Sequence, residues 1–178
     1  MMTTRRRNFL RHALTLAAAT VALACHDEAQ SADESSLVPF DVARVRLVSG
    51  TDTTHLRVEL ASSSQQHTMG LMERHQLADS AGMLFLYPVE QPATAGFWMF
   101  RTLIPLDIAF MDSLGQIVAI KQMVPCTATI AEGCTTYPPA VPYRAALEVN
   151  AGYFTNHRLT LGSKVILGDT LPLLQHGK

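Results

Sequence analysis

The chain has 178 residues, 48% of them apolar, which is enough for one domain with a proper hydrophobic core. Its formal net charge is −1 at pH 7, with fourteen Lys and Arg against fifteen Asp and Glu. Since no basic run lies beyond the N-terminus, this balance argues against a protein that binds nucleic acid.

Residues 1–24 have the pattern of an export signal peptide. Four arginines at positions 5, 6, 7 and 11 precede an apolar run at residues 13–24, which is too short to span a hydrocarbon core of about 30 Å. The segment RRNFLR resembles the twin-arginine export motif, and an ordinary positively charged signal is the alternative. Removal of residues 1–24 would leave ten Lys and Arg against fifteen Asp and Glu, a net charge of −5.

Cys25 directly follows an A-x-A cleavage pattern at residues 22–24, and this is also where a lipoprotein carries its acceptor cysteine. We expect lipidation of Cys25, although the lipobox position three residues earlier holds Ala22 rather than Leu, Val or Ile. Ordinary signal cleavage at the same bond is the alternative. The sequence then predicts a polar tether at residues 25–40 and one globular domain at residues 41–178, on the periplasmic side of the membrane, either lipid-anchored or soluble.

The first half of the domain contains strand patterns around one short helix. Residues 42–48 and 54–60 alternate and predict an antiparallel hairpin with one solvated face. Ser62 and Gln65 form a capping-box pattern, which predicts a helix from Ser62 to about His75. Residues 83–87 predict an apolar strand that ends at Pro88.

The predicted helix carries His67, Met69, Met72 and His75 in the pattern HxMxxMxxH. Imidazole and thioether ligands at helical spacing suit copper in an exported protein. We favour core packing of Met69 and Met72, because Met is a common filler of apolar helix faces. We therefore expect no metal site and no cofactor.

Residues 96–123 form the most apolar part of the chain. A strand that contains Trp98, the chain's one tryptophan, precedes a break at Pro105, and residues 106–112 and 116–123 then predict a central hairpin. The linking segment begins with Asp112 and ends with Gly115, as tight turns often do. Asp107 is the one charge in its strand, and a buried carboxylate needs a partner. We expect it beside Trp98, accepting N–H groups from residues 101–104 or a nearby Arg.

The last third combines an irregular loop with further strands. Residues 124–142 contain four prolines, and Cys126 and Cys134 within them predict a structural disulfide, with a metal site as the alternative. Strands at residues 144–150 and 164–167 flank one or two helical turns at residues 151–159. The whole inventory predicts a mostly β (α+β) domain: a small antiparallel sandwich or barrel of about seven strands with one or two short helices.

Several short motifs in this region resemble those of an uncharacterised family, domain of unknown function 192. The strongest is FWM at residues 97–99 with TLIPLDIAF at 102–110. Five others follow the same order in the chain: GLMER at 70–74, GMLF at 82–85, VPC at 124–126, YP at 137–138 and ALEVNAG at 146–152. The resemblance spans roughly residues 42–167 and implies the same β-rich fold. It implies no activity, because the family has none assigned, and Phe100 and Arg101 stand where the family usually has Lys or Arg followed by Asn.

Two classes of function remain open. The first is a binding or accessory domain for a small molecule or a cell-envelope component, and the candidate ligand-binding residues are Trp98, Arg101, Asp107, Tyr137, Glu148 and Asn150. The alternative is an envelope hydrolase or lyase that uses Asp107 and Glu148 as a carboxylate pair. We favour core packing for the aromatic cluster of Trp98, Phe97 and Phe100, and the floor of a small-ligand site is the alternative. The discriminator is whether the two carboxyls enter one cleft or point to opposite faces.

Overall fold

The computed structural model describes residues 38–168, which belong to one compact unit. The expected signal peptide, Cys25 and nearly all of the expected tether lie outside the described residues, so those features stay predictions. Within the described range, no helix is both long enough and apolar enough to cross a membrane.

Nine strands and two short α-helices make up the described residues, which confirms the mostly β fold. A single 3-10 turn at Ala131–Gly133 lies in the long loop. In chain order the elements are β1 Asp41–Ser49, β2 Asp52–Ala61, α1 Ser64–Met69, β3 Ala81–Gln91, β4 Phe97–Trp98, β5 Leu106–Met111, β6 Ile117–Met123, β7 Thr136–Tyr137, β8 Tyr143–Asn150, α2 Tyr153–Asn156 and β9 Lys164–Leu167.

Seven strands form one sheet in the order β6-β5-β8-β3-β2-β1-β9, and β4 and β7 form a separate two-stranded ribbon. All pairs are antiparallel except β2 with β3, which is parallel because α1 and its loop return the chain to the other end of the sheet. The two edge strands meet at one end, where Ile117 N–H donates to the Ser163 carbonyl and Val165 N–H to the Gly115 carbonyl, both at 2.8 Å. The sheet therefore curls strongly on itself.

The sheet has two buried faces, each with its own core. The α2 face is packed by residues such as Leu56, Leu84, Ala109, Leu147 and Phe154. The α1 face is packed by residues that include Leu71, Phe85, Ile108, Phe110 and Met99. All six residues of β5 are buried, which confirms that it is a central strand covered on both sides.

The central hairpin forms as its sequence predicts. The Asp112 Oδ1 atom accepts the N–H groups of Leu114 at 2.8 Å and Gln116 at 2.9 Å. Gly115 has φ +74°, in the left-handed region that glycine adopts without a steric cost. Turn chemistry and strand pattern agree here, so the register between β5 and β6 follows from local sequence.

The predicted bounds of two elements are wrong. The helix cap is Ser63 rather than Ser62, with Gln66 closing the capping box, and α1 ends at Met69 rather than His75 because Gly70 takes φ +47°. Strand β3 continues past Pro88 to Gln91, since its pairing with β8 is irregular between Leu86 and Gln91 and no ladder N–H is needed from the proline.

The loop of residues 124–142 is closed by the predicted disulfide. Cys126 and Cys134 are bonded, with Cα atoms 5.6 Å apart. Cys126 N–H also donates to the Met99 carbonyl at 3.3 Å, which ties this loop to the segment that carries β4. The disulfide therefore supports a layer of loops over the α1 face.

Candidate functional site

An open cleft of about 220 Å³ lies on the α1 face, between α1 with the turn after it and the strand β4. The sheet itself forms the base of the cleft. The side chains that line it include His67, Met69, Met72, Tyr87, Phe97, Trp98 and Glu148.

Glu148 is the most unusual residue of this cleft. It lies in the middle of β8, between Met83 of β3 and Ile108 of β5, and is only 4% exposed. Burial alone raises the pKa of its carboxyl to about 8. Residues 38–168 supply neither an ion pair nor a hydrogen bond to this carboxyl, so burial is the one cause of its raised pKa, and the group borders the cleft, where it can form hydrogen bonds with a ligand.

An aromatic wall opposes α1 across the cleft. Phe97 anchors this wall, because its ring packs edge-on against Phe85 at 4.9 Å and Phe110 at 5.6 Å between centroids. Its neighbour Trp98 is 45% exposed at the rim of the cleft. Phe97 thus packs against the core and also lines the cleft, whereas Trp98 has the exposure of a ligand-contacting side chain.

Gly96 permits this wall to exist. An added Cβ at Gly96 would lie 2.7 Å from Pro138 N and 2.8 Å from the Tyr137 carbonyl carbon, closer than real Cβ contacts. The glycine therefore lets β4 approach β7, where Phe97 pairs with Tyr137 and Trp98 with Thr136. Tyr137 acts as part of this support, and its hydroxyl accepts the Val124 N–H at 3.3 Å.

His67 forms the α1 side of the cleft. Its Nε2 atom lies 3.0 Å from the Ala61 carbonyl and 3.2 Å from the Leu86 carbonyl, so this nitrogen carries the proton. The ring packs against Tyr87, with centroids 4.5 Å apart. The second ring nitrogen is then an acceptor in the neutral tautomer.

The two methionines of the HxMxxMxxH pattern line the cleft and are half-buried. His67 shares this cleft, but His75 is exposed and does not line it. Within residues 38–168 no group of three or more His, Cys, Asp or Glu side chains is placed to hold a metal ion. Met69 and Met72 therefore act as adaptable apolar wall rather than as fully buried core.

Asp107 lies elsewhere and has a different environment. It is 6% exposed on the α2 face, and its Oδ2 atom accepts the Gly152 N–H at 2.9 Å. Burial raises the pKa of this carboxyl, while the N–H groups of Gly152 and Phe154 oppose the rise. The expected partners at residues 101–104 and the expected position beside Trp98 are therefore wrong, because the real partner lies 45 residues along the chain.

The register between β5 and β8 separates the two carboxylates. Asp107 is opposite Val149, and Glu148 is opposite Ile108. Residues directly opposite each other share a face, and successive residues alternate, so Asp107 and Glu148 point to opposite sides of the sheet. They cannot act on one substrate, and the proposed carboxylate pair of a hydrolase or lyase is contradicted.

The other sequence candidates also have structural partners. Arg101 forms an exposed ion pair with Glu73, and Asn150 Nδ2 donates to the Leu77 carbonyl at 2.9 Å. Neither residue lines the cleft. Of the six candidates, the structure brings together Trp98 and Glu148, and it adds His67, Tyr87 and Phe97. His67 had a visible signal in the HxMxxMxxH pattern, and Phe97 had one in the aromatic cluster around Trp98.

Known proteins resemble this chain in sequence and in fold. The sequence model of a family described as DUF192, "Uncharacterized ACR", matches residues 45–167. A proposed transcription regulator from Sinorhizobium meliloti is 32% identical with a TM-score of 0.67, over 74% of this chain and 97% of the relative. A protein of unknown function from Novosphingobium aromaticivorans is 35% identical with a TM-score of 0.60, over 70% of this chain and 84% of the relative. No curated protein matches the chain.

Proposed function

The chain belongs to the DUF192 family, whose function is unknown, and on that premise we propose that its domain binds a small molecule in the cleft between α1 and β4. Glu148 anchors the ligand at the base, and Trp98 contacts it at the rim. The remaining wall combines apolar side chains with the polar His67, Thr68 and Thr102. Such a combination of apolar lining with a few polar groups is typical of ligand sites.

The observation that carries this proposal is the buried carboxyl of Glu148. A buried polar group that has no hydrogen-bond partner destabilises the folded protein. Glu148 sits in a central strand where an apolar residue would pack without that cost, and it opens onto a concave surface. Perturbed carboxyls in clefts are candidate functional groups for this reason.

A binding role fits the cleft better than an enzymatic one. General acid–base catalysis needs groups that can exchange protons with a bound substrate. Glu148 is the one carboxyl among the described residues that line the cleft, and the Nε2 atom of His67 is held by two backbone carbonyls. The description of the Sinorhizobium relative as a regulator does not extend to nucleic acid here, since removal of residues 1–24 would leave a net charge of −5, which opposes binding of nucleic acid.

We further propose that the mature protein is an exported domain with a lipid at Cys25, on the periplasmic side of the membrane. The support is the sequence of residues 1–25 together with the Cys126–Cys134 disulfide. Disulfides form and persist in oxidising compartments. The bond is thus consistent with a domain outside the cytoplasm.

Thermal unfolding in the presence of a small-molecule library tests the binding proposal. A ligand at 100 times its Kd adds about 2.7 kcal/mol of stability and raises Tm by roughly 5–10 °C for a domain of this size. We expect this rise for the wild-type chain and for Asp107→Asn, but not for Trp98→Ala or Glu148→Gln. A library without hits, or hits that ignore both cleft variants, would contradict the proposal.

Mass spectrometry of the protein from cells tests the export proposal. We expect a mature chain that begins at Cys25 and carries a diacylglyceryl group. A soluble periplasmic chain with an unmodified Cys25 would reject lipidation and keep export. An intact chain that starts at Met1 in the cytoplasm would reject both.

A further inference from the structure

We propose that the ligand of this cleft is a small organic cation that bears an ammonium group, held by Glu148 and by the aromatic side chains around it. The inference rests on the proposed binding function and specifies its ligand class. Two features of the described residues support it, the absence of Lys and Arg from the lining and the aromatic content of the wall, and the Glu148 proton makes it measurable.

The charge of the cleft favours cations. Glu148 is the one acidic side chain among the described lining residues, and no Lys or Arg is among them. The two arginines in the segments that flank the cleft already have partners. Arg74 binds Glu59 through two hydrogen bonds of 2.7 and 2.6 Å, and Arg101 pairs with Glu73. An anionic ligand would therefore find no positive charge from Lys or Arg in the cleft, whereas a cation would find one group that becomes a counter-charge when it loses its proton.

The aromatic content of the cleft also favours cations. Tyr87, Phe97 and Trp98 line it from three positions along the chain. Aromatic rings attract ammonium groups electrostatically, and Trp attracts them most strongly. A carboxylate combined with several aromatic rings is a suitable environment for an alkylated ammonium ion, whose weak hydration makes transfer from water easy.

The proton on Glu148 makes the two ligand classes distinguishable. Of the titratable groups in the cleft, Tyr87 of β3 interacts electrostatically with Glu148, and His67 of α1 shares the same lining. Strand β5 places Ile108 directly opposite Glu148, and β4 contributes Phe97 and Trp98 to the lining. Burial raises the pKa of Glu148 to about 8, so the free cleft holds a neutral carboxyl at pH 7. A cation that pairs with the carboxylate releases that proton to solvent, while a neutral ligand leaves it in place.

Proton release gives the inference a measurable signature. Below pH 8 the affinity for a cation should rise by about tenfold for each pH unit, because one proton leaves for each ligand bound. The affinity for a neutral ligand of the same shape should not change with pH. This behaviour separates the role of Glu148 from mere shape recognition by the wall.

Isothermal titration calorimetry on the purified full-length chain provides the test. Choline and ethanolamine serve as ammonium probes, and 3,3-dimethylbutan-1-ol serves as the neutral isostere of choline. At pH 7 we expect choline or ethanolamine to bind at least tenfold more tightly than the isostere, with about one proton released in buffers of different ionisation heat. The Kd of the preferred cation should fall about tenfold between pH 6 and pH 7.

Two matched variants test whether the Glu148 carboxyl causes the preference for the cation. Glu148→Gln keeps the shape of the side chain and should remove the preference for the cation, while binding of the neutral isostere persists. Asp107→Asn changes the carboxyl on the opposite face of the same strand pair and should change neither affinity. Equal binding of cation and isostere, absence of binding by both ammonium probes, or a Glu148→Gln variant that keeps the preference would overturn the inference.

Failure of this inference differs from failure of the proposed function. Neutral library hits that depend on Trp98 would support a binding cleft but reject a cationic ligand.

The ammonium group could also belong to a lipid headgroup rather than a soluble molecule. Co-sedimentation with phosphatidylethanolamine vesicles but not phosphatidylglycerol vesicles, lost in Glu148→Gln, would identify the lipid as the source.

Discussion

Asp107 and Glu148 are two buried carboxyls on neighbouring strands, yet their environments differ in one decisive respect. Both are almost fully inaccessible, at 6% and 4% exposure. Asp107 accepts a backbone N–H from Gly152, whereas the described residues leave Glu148 without a partner. Burial alone therefore does not separate a structural carboxyl from a functional candidate; the presence or absence of a protein partner does.

The largest expected effect concerns the pH dependence of stability through Glu148. Its pKa is 4.5 in the unfolded chain and about 8 in the fold, so between these values the folded state binds more protons. The free energy of unfolding must then fall as pH rises through this window, with the contribution fully present below pH 4.5. We expect a loss of about 3 kcal/mol between pH 6 and pH 9.

Urea denaturation of the wild type and Glu148→Gln at these two pH values measures that loss. The variant removes the titrating group, so the difference between the two proteins isolates Glu148 from the histidines. If both proteins lose the same stability, then Glu148 ionises normally and the contrast with Asp107 disappears.

Removal of the disulfide should destabilise the loops over the α1 face without affecting the α2 face. Replacement of Cys126 and Cys134 by Ser should cost about 2–3 kcal/mol, because the bond closes a short loop and restricts the unfolded chain. Hydrogen exchange should accelerate in residues 96–102 and 124–137, which lie over the α1 face. Faster exchange around Gly152 as well would show that the two faces are not independent.

Asp107 should behave as an acceptor of hydrogen bonds rather than as a charge. Asp107→Ala leaves the Gly152 N–H without its partner and should cost about 1–3 kcal/mol. Asp107→Asn retains an acceptor oxygen and should stay within about 1 kcal/mol of the wild type. Chemical denaturation at pH 7 compares them, and equal losses for both variants would show that the negative charge itself is needed.

Of these substitutions, the replacement of Trp98 should change the free energy of unfolding least. Its side chain is half-exposed at the rim of the cleft, so Trp98→Ala should alter the free energy of unfolding by about 0.5 kcal/mol or less. Ligand-induced stabilisation should nevertheless disappear. A large loss of stability in the absence of ligand would mean that Trp98 is part of the core.

The sequence predicts the parts of this fold that depend on local pattern. The β5–β6 hairpin is an example, because strand alternation and the Asp112–Gly115 turn specify the same register. The disulfide is another, since the predicted lipidation of Cys25 would leave Cys126 and Cys134 as one pair. The short helix is predicted too, although its cap is displaced by one residue to Ser63.

The site is less predictable, because it depends on contacts that are distant in sequence. Alternation shows that Asp107 and Glu148 each face one side of a strand, but it cannot show which sides coincide until the β5–β8 register is known. The sequence likewise cannot show that Asp107 accepts the Gly152 N–H, because the two residues are 45 positions apart. The placement of His67 opposite Trp98 follows from the parallel β2–β3 crossover, for which no local pattern exists.

The most direct test of the central claim is a carbon-13 NMR titration of the Glu148 side-chain carboxyl in the folded protein. The structure predicts a midpoint near pH 8, which reports a protonated, unpartnered group at neutral pH. Saturating ammonium probe should move that midpoint to lower pH. A midpoint near 4.5 in the free protein would show an ordinary ionised carboxylate, and it would contradict both the contrast with Asp107 and the ligand site built on it.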